Sequence, residues 1–420
     1  MVRFPNNPRD RTARPFYGWA IAGTLAVTET ASYGVLVYAF AVFLTPMQAD
    51  LGWSAPQITG AYSLALLVAG LAAPFVGHWL DRHGPRVLMM AGSVLGSAMV
   101  LAWSQVENLA AFYLIWAGIG LAMAATLYEP AFATLTRWFV RDRPRAFLLL
   151  TVVAGFASTI FLPLANALVE AHGWRGALAA LATLLAFVTI PAHVLVLRRR
   201  PEDLGLVPDG VAPHEQDDAA PRPEPDGAAP AAAVRDPAFW WMTAAFFAGT
   251  LTTVSVGIAL IPFLLARGDD PAFAAAATGA IGAAQVLARI ALIAFGGRVS
   301  QVTLAAGVLA LQSGALALLV VGRGVAVVGA AVLLLGAGRG AMTLLRPAML
   351  AERYGRAHFG AIAGTMAFAL VGAQAIAPFG TGLAVARFGG YEPVFWGLAA
   401  AAAFGAVAML GAARAWRAPT

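Results

Sequence analysis

Two short strings hold most of the chemistry this chain can perform, TLYEPA at residues 126–131 and TLLRPA at residues 343–348. Each sets an ionisable side chain beside a proline inside an otherwise apolar run: Glu129 with Pro130, and Arg346 with Pro347. Three more charges lie in similar surroundings, Glu29, Arg289 and Arg339. Left facing lipid at mid-helix, each would cost roughly 2.5–3.5 kcal/mol on insertion scales, so all five are expected to face protein or a wet cavity. Arginine grips carboxylates through paired hydrogen bonds, and a desolvated carboxylate can carry a proton. Fully ionised, the set holds three cations and two anions, so one bound carboxylate would neutralise it. The expected chemistry is therefore binding of a small anion by Arg289, Arg346, Arg339 and Tyr33, with protons handled by Glu129 and Glu29. Tyr38 and Tyr62 are further candidates for the lining. Glu29 could instead be hydrogen-bonded to Thr28 or Thr30, and Arg289 and Arg346 could snorkel to water.

The elements that must position these groups follow from composition. Of 420 residues 60% are hydrophobic and 11% charged, too apolar for solvated domains. Cysteine is absent, which excludes disulfides, thiolate metal sites and cysteine nucleophiles together. Lysine is absent too, which removes Schiff-base chemistry. No metal or cofactor is expected. Segments apolar all round for about 20 residues are long enough to cross a bilayer. They predict an all-α membrane protein with twelve spanning helices, at 17–44, 56–80, 86–104, 109–136, 146–169, 174–197, 238–266, 272–296, 301–321, 325–350, 360–386 and 391–413. Residues 198–236, rich in Pro, Ala and acid, predict a flexible linker between six-helix bundles at 17–197 and 237–413, with tails at 1–16 and 414–420. Trp19, Trp138, Trp240 and Trp241 are expected as interfacial anchors.

Of the 27 basic residues, 20 fall on the side holding both tails, the linker and the loops with Arg82/Arg86, Arg137/Arg141/Arg143/Arg145, Arg298 and Arg353/Arg356. By the positive-inside rule that side is cytoplasmic, and the net charge of +6 is a matter of topology. Arginines scattered over short loops make no groove-sized patch, so no nucleic-acid partner is expected. Membrane lipid, protons and a small molecule are.

The two strings are offset by 217 residues, and other landmarks repeat at similar offsets: Gly34 with Gly257, Pro163 with Pro378, and HGW at 172–174 with GGY at 389–391. A duplicated six-helix unit of one orientation implies two pseudo-symmetric bundles about an axis along the membrane normal, with a site between them. Equivalent residues then face one another across the axis, so Glu129 is expected to pair with Arg346, either as part of the site or as a permanent brace. Pro130 and Pro347 each free the carbonyl four residues back, of Thr126 and Thr343, so both helices are expected to kink there.

The loop after the second helix reads Gly77-His-Trp-Leu-Asp81-Arg82-His-Gly84-Pro-Arg86 and resembles the G-x-x-x-D-R-x-G-x-R signature of the major facilitator superfamily, with Pro85 a departure. The resemblance covers essentially the whole chain and implies the major facilitator fold, with helices 1, 4, 7 and 10 around a central cavity. Gly77, Asp81, Arg82, Gly84 and Arg86 are expected to gate, Asp81 latching the cytoplasmic side onto a helix N-terminus or an arginine. Tyr17-Gly18-Trp19, YGVLVYAFAVFLTPMQADLGWS from Tyr33 to Ser54, Arg289 and RPEDLG at 200–205 are similar to the monocarboxylate and oxalate/formate branch. Gln374 stands where oxalate carriers of that branch use lysine, which points away from oxalate.

These readings converge on a secondary active transporter, not an enzyme, of the bacterial inner membrane. It would move a monocarboxylate-like anion by alternating access with proton coupling, as a monomer. Alternatives are an efflux carrier for a drug-like compound or a metalloid such as arsenite, and a non-transporting sensor.

Overall fold

The computed structural model describes residues 16–210, 227–295 and 299–417. Arg3, Arg9, Arg11, Arg14, Arg298 and the middle of the linker lie outside them. Among the described residues, eleven apolar stretches are long enough to span a membrane: α1 Tyr17–Leu51, α2 Ala55–His83, α3 Pro85–Trp103, α4 Leu109–Trp138, then Arg143–Val196, α7 Pro237–Ala266, α8 Pro271–Phe295, α9 Gln301–Val321, α10 Val325–Tyr354, α11 Phe359–Phe388 and α12 Glu392–Arg417. The stretch Arg143–Val196 is 54 residues, about 80 Å at 1.5 Å per residue, more than twice a hydrocarbon core of about 30 Å. Its backbone turns at Gly173, whose φ of 68° suits glycine, and this divides it into α5 (143–172) and α6 (174–196). The count is twelve, as the sequence predicts.

The helix ends follow local chemistry. Ser54 and Gln57 form a capping box at α2, Asn108 accepts the Ala111 N–H at α4, and Asp236 accepts the Ala238 N–H at α7. The linker is less free than its composition suggests. Pro201 is buried, and Asp209 accepts the N–H groups of Val140, Arg141 and Asp142 at 3.0, 2.8 and 3.2 Å. Those amides precede α5 and have few other partners, so a carboxylate there holds the chain down. At the far end Ala228 donates to the Tyr354 carbonyl and Ala233 is buried. Trp138 departs from expectation too. It is fully buried against Phe16 and Tyr17, whereas Trp240 and Trp241 are exposed.

The apolar core is joined at one end and divided at the other. Toward the arginine-rich side, Leu25, Phe132, Phe147, Met242, Leu350 and Ile362 belong to one cluster that runs through both halves. Toward the opposite side there are two clusters, one of residues 31–185 and one of residues 256–402. The two halves thus meet on the arginine-rich side and part on the other. This conformation is closed at the first and open at the second.

Burying apolar surface gives little against lipid, so the seam between halves needs close packing and polar contacts. Both are present where α2 meets α11. A Cβ on Gly77 would overlap the Gly360 carbonyl, and one on Gly364 would overlap the Ala73 backbone. At the end of α2, Asp81 Oδ1 accepts the Gly360 N–H at 3.0 Å and Oδ2 the Ala361 N–H at 2.7 Å. These amides lie in the first turn of α11, unpaired within the helix and at the positive end of its dipole. Arg137, in the last turn of α4, donates to Asp81 Oδ1 at 3.0 Å, to the Asp81 carbonyl at 2.8 Å and to the Ala357 carbonyl at 3.2 Å. One carboxylate therefore meets both a helix N-terminus and an arginine. Gly84 makes the following turn at φ 83°, and Arg82 and Arg86 are exposed.

Replacing Asp81 with Asn removes the charge from the seam, and Gly364→Val pushes α2 from α11. Leu350, one turn beyond Arg346 in the joined core, is 2% exposed. In a chain without native cysteine, Leu350→Cys should resist a water-soluble thiol reagent in the parent. It should label at least about threefold faster with Asp81→Asn, and faster again with Gly364→Val. Unchanged rates in both would mean that closure does not rest on this seam.

Candidate functional site

The site begins with the break in α4. Its first segment runs to Thr126, Leu127 is extended at φ −86°, ψ −164°, and a second segment starts at Tyr128. Pro130 thus falls in the first turn of a new helix, where a missing N–H costs nothing. Glu129 sits in the same turn, at the positive end of the segment's dipole. The expected kink is here a full interruption. In the repeat there is no interruption, since α10 is one helix through Pro347 from Val325 to Tyr354. The Thr126 and Thr343 hydroxyls both donate one turn back, to the Ala122 and Arg339 carbonyls at 2.7 and 2.9 Å.

Across the gap Arg346 Nη2 donates to Glu129 Oε1 at 2.5 Å, joining residues 217 apart. Their side chains keep 22% and 29% exposure, so the pair borders an open space. Two adjoining cavities lie there. One, of about 320 Å³, is lined by Arg289, Arg339 and Arg346 with Tyr38, Gln285 and Thr253 among others. The second, of about 290 Å³, lies between α2, α4 and α11 and includes Glu129. Tyr33, Tyr128, Arg346, Leu370 and Gln374 line both, so they are two compartments of one site.

The three arginines differ in their surroundings. Arg289 is 3% exposed, its Nη1 donates to the Thr151 carbonyl of α5 at 2.6 Å, and it lines the same cavity as Tyr128. Its Nε has no partner. Arg339 is exposed to the polar compartment and, among the described residues, has no carboxylate partner. Arg346 is held by Glu129. The compartment thus presents two cations not matched by a carboxylate and a third that is.

Glu29 lines neither cavity. It is fully buried, and neither carboxylate oxygen accepts a hydrogen bond. Thr28 and Thr30, its expected partners, donate instead to the Leu25 and Ala26 carbonyls. An ionised carboxylate left in that state would cost several kcal/mol.

Directly beyond Tyr33, α1 widens into a π-helical turn over Gly34–Tyr38, a distortion common at functional sites. Gly34, at the start of that turn, lets α5 approach closely, because the Phe161 ring lies where a Cβ would be. The Tyr33 ring rests 4.7 Å from that of Tyr128. Tyr62 is not part of the lining; it stacks on Phe40 at 4.9 Å and meets Trp116 edge-on. Tyr128, Gln285, Thr250 and Thr253 also line the cavity, beyond the residues expected from the sequence. Two carried a signal, as Tyr128 adjoins Glu129 and Gln285 precedes Arg289 by one helical turn on the same face.

The sequence profile of the Major Facilitator Superfamily matches residues 30–378. Monocarboxylate transporter 11 of Mus musculus is 31% identical over 200 residues, 47% of this chain and 42% of that protein. The oxalate:formate antiporter of Oxalobacter formigenes is 28% identical over 176 residues, 40% of each. The chain therefore spans about two fifths of the curated relatives it matches. Among solved structures, FucP in its outward conformation aligns at TM-score 0.71 and 12% identity, over 94% of this chain and 99% of that one. A bacterial homologue of the iron transporter ferroportin gives 0.71 at 14% identity, over 95% and 99%. With its profile, its twelve helices in two halves and a polar cavity between them, the chain belongs to the Major Facilitator Superfamily and is a multi-pass membrane protein.

Proposed function

We propose that this protein carries a small monocarboxylate-like anion by alternating access, with proton coupling. The observation that carries the reading is the charge around the cavity, three arginines facing one paired carboxylate. A bound carboxylate entering from the open side would meet Arg339 and Arg289 first, then compete with Glu129 for Arg346. Released from its cationic partner in a low-dielectric cavity, Glu129 would take up a proton. Glu29, buried without a hydrogen bond, would be a second proton carrier. With its charge neutralised, the cavity could close on the open side while the Asp81 contacts part on the other. The relatives' names support the substrate class. The count of 20 arginines among 27 on the motif side supports an orientation with both termini in the cytoplasm of a bacterial cell, across its inner membrane. Since the site lies within one chain, a monomer suffices.

Arg289→Gln should weaken binding of the anion at least about tenfold, while the thermal melt of the ligand-free protein shows that folding survives. Wild-type affinity in this variant would remove Arg289 from the site.

Glu129→Gln mimics the protonated acid, so it should still bind and exchange substrate but lose acceleration by a proton gradient in proteoliposomes. Arg346→Gln should damage binding itself. The exchange of Glu129→Arg with Arg346→Glu keeps the pair but moves the cation to the other half, so a simple brace would be rescued and an anion site would not. Full proton-driven transport in the exchanged protein would leave only the brace.

A further inference from the structure

The second compartment is the more apolar of the two. Apolar side chains such as Leu66, Ala69, Leu127, Ala367 and Val371 outnumber the polar ones in its wall, and its two charged residues are Glu129 and Arg346, which neutralise each other. It opens beside the arginines through the shared residues Tyr33, Tyr128 and Leu370. At about 290 Å³ it has nearly twice the volume of an apolar cavity of roughly 150 Å³, which accommodates benzene. A ligand as small as acetate, lactate or oxalate would occupy only part of the arginine compartment and leave this wall wet. Hydrated apolar wall is costly, at about 25 cal/mol per Å².

We infer that the substrate is an amphipathic monocarboxylate, with its carboxylate among Arg289, Arg339 and Arg346 and an aryl or medium-length alkyl tail in the α2–α4–α11 compartment. The inference rests on the anion reading above and narrows it. It also links the tail to the proton. Once Arg346 turns to the substrate, Glu129 faces the tail alone, and a carboxyl beside hydrocarbon is tolerated as the neutral acid. A short acid leaves water in that position and gives Glu129 no such reason to protonate. Two walls of the compartment belong to one half and one to the other, so a tail of sufficient length also bridges the surfaces that must approach when the cavity closes.

The test uses the full chain in detergent and measures affinity for lactate, hexanoate and 3-phenylpropionate, with 3-phenylpropanamide as the uncharged analogue. Hexanoate and 3-phenylpropionate should bind at least tenfold tighter than lactate. Ala69→Phe, which fills the compartment from α2, should remove that advantage and leave lactate within about twofold. Ala367→Phe, from the α11 wall, should do the same, which guards against one variant failing to fold. Lactate binding as tightly as the longer acids, or either variant weakening all three equally, would overturn the tail site. The anion reading fails separately, when the amide binds as well as 3-phenylpropionate and Arg289→Gln changes neither.

Discussion

The arrangement of the whole molecule depends on one contact, the ion pair of Glu129 with Arg346 across the two halves. A charge inside a bilayer must find a partner or water, and Glu129 and Arg346 each find theirs on the equivalent residue of the duplicated unit. That requirement fixes the depth at which the halves face each other. It also requires α4 and α10 to bring their prolines to the axis. The two proline strings then diverge: α4 opens a gap at Leu127 and offers Glu129 at a helix N-terminus, while α10 stays whole. The symmetry of the fold is thereby broken at the site, as a site for an asymmetric ligand demands.

Below the pair the molecule is shut and above it the core is divided. The Asp81 contacts, the glycines of α2 and α11 and the shared apolar cluster lie on the arginine-rich side of Glu129 and Arg346, and the compartments adjoin the pair itself. A carrier that works by alternating access needs a closed side that can be released. On the alternating-access reading proposed above, hydrogen bonds from two backbone amides and one guanidinium to a single carboxylate would be that releasable contact.

Much of this was legible in the residues. Twelve apolar runs gave twelve helices because spanning length is set by the bilayer, and the offset between TLYEPA and TLLRPA led to the pair because duplication about an axis leaves little freedom. What was not legible depends on packing. Nothing in the run containing Trp138 distinguishes a buried indole from one at the headgroups, and only the fold of the Phe16 segment over it decides. The interruption at Leu127 and continuity at Pro347 come from the same Thr-Leu-x-x-Pro-Ala pattern, so local sequence could not separate them. Asp209, from a stretch read as linker, finds its role only when the amides before α5 are in place. The apolar compartment is assembled from alanines and leucines that look like any other helix face.

If Glu129 exchanges Arg346 for a proton when an anion binds, proton uptake must accompany binding. In weakly buffered detergent solution with a pH indicator, saturating 3-phenylpropionate should draw about one proton from the medium per bound anion, and the uptake should vanish in Glu129→Gln while binding persists. Binding without proton uptake in the parent, or undiminished uptake in Glu129→Gln, would contradict the account.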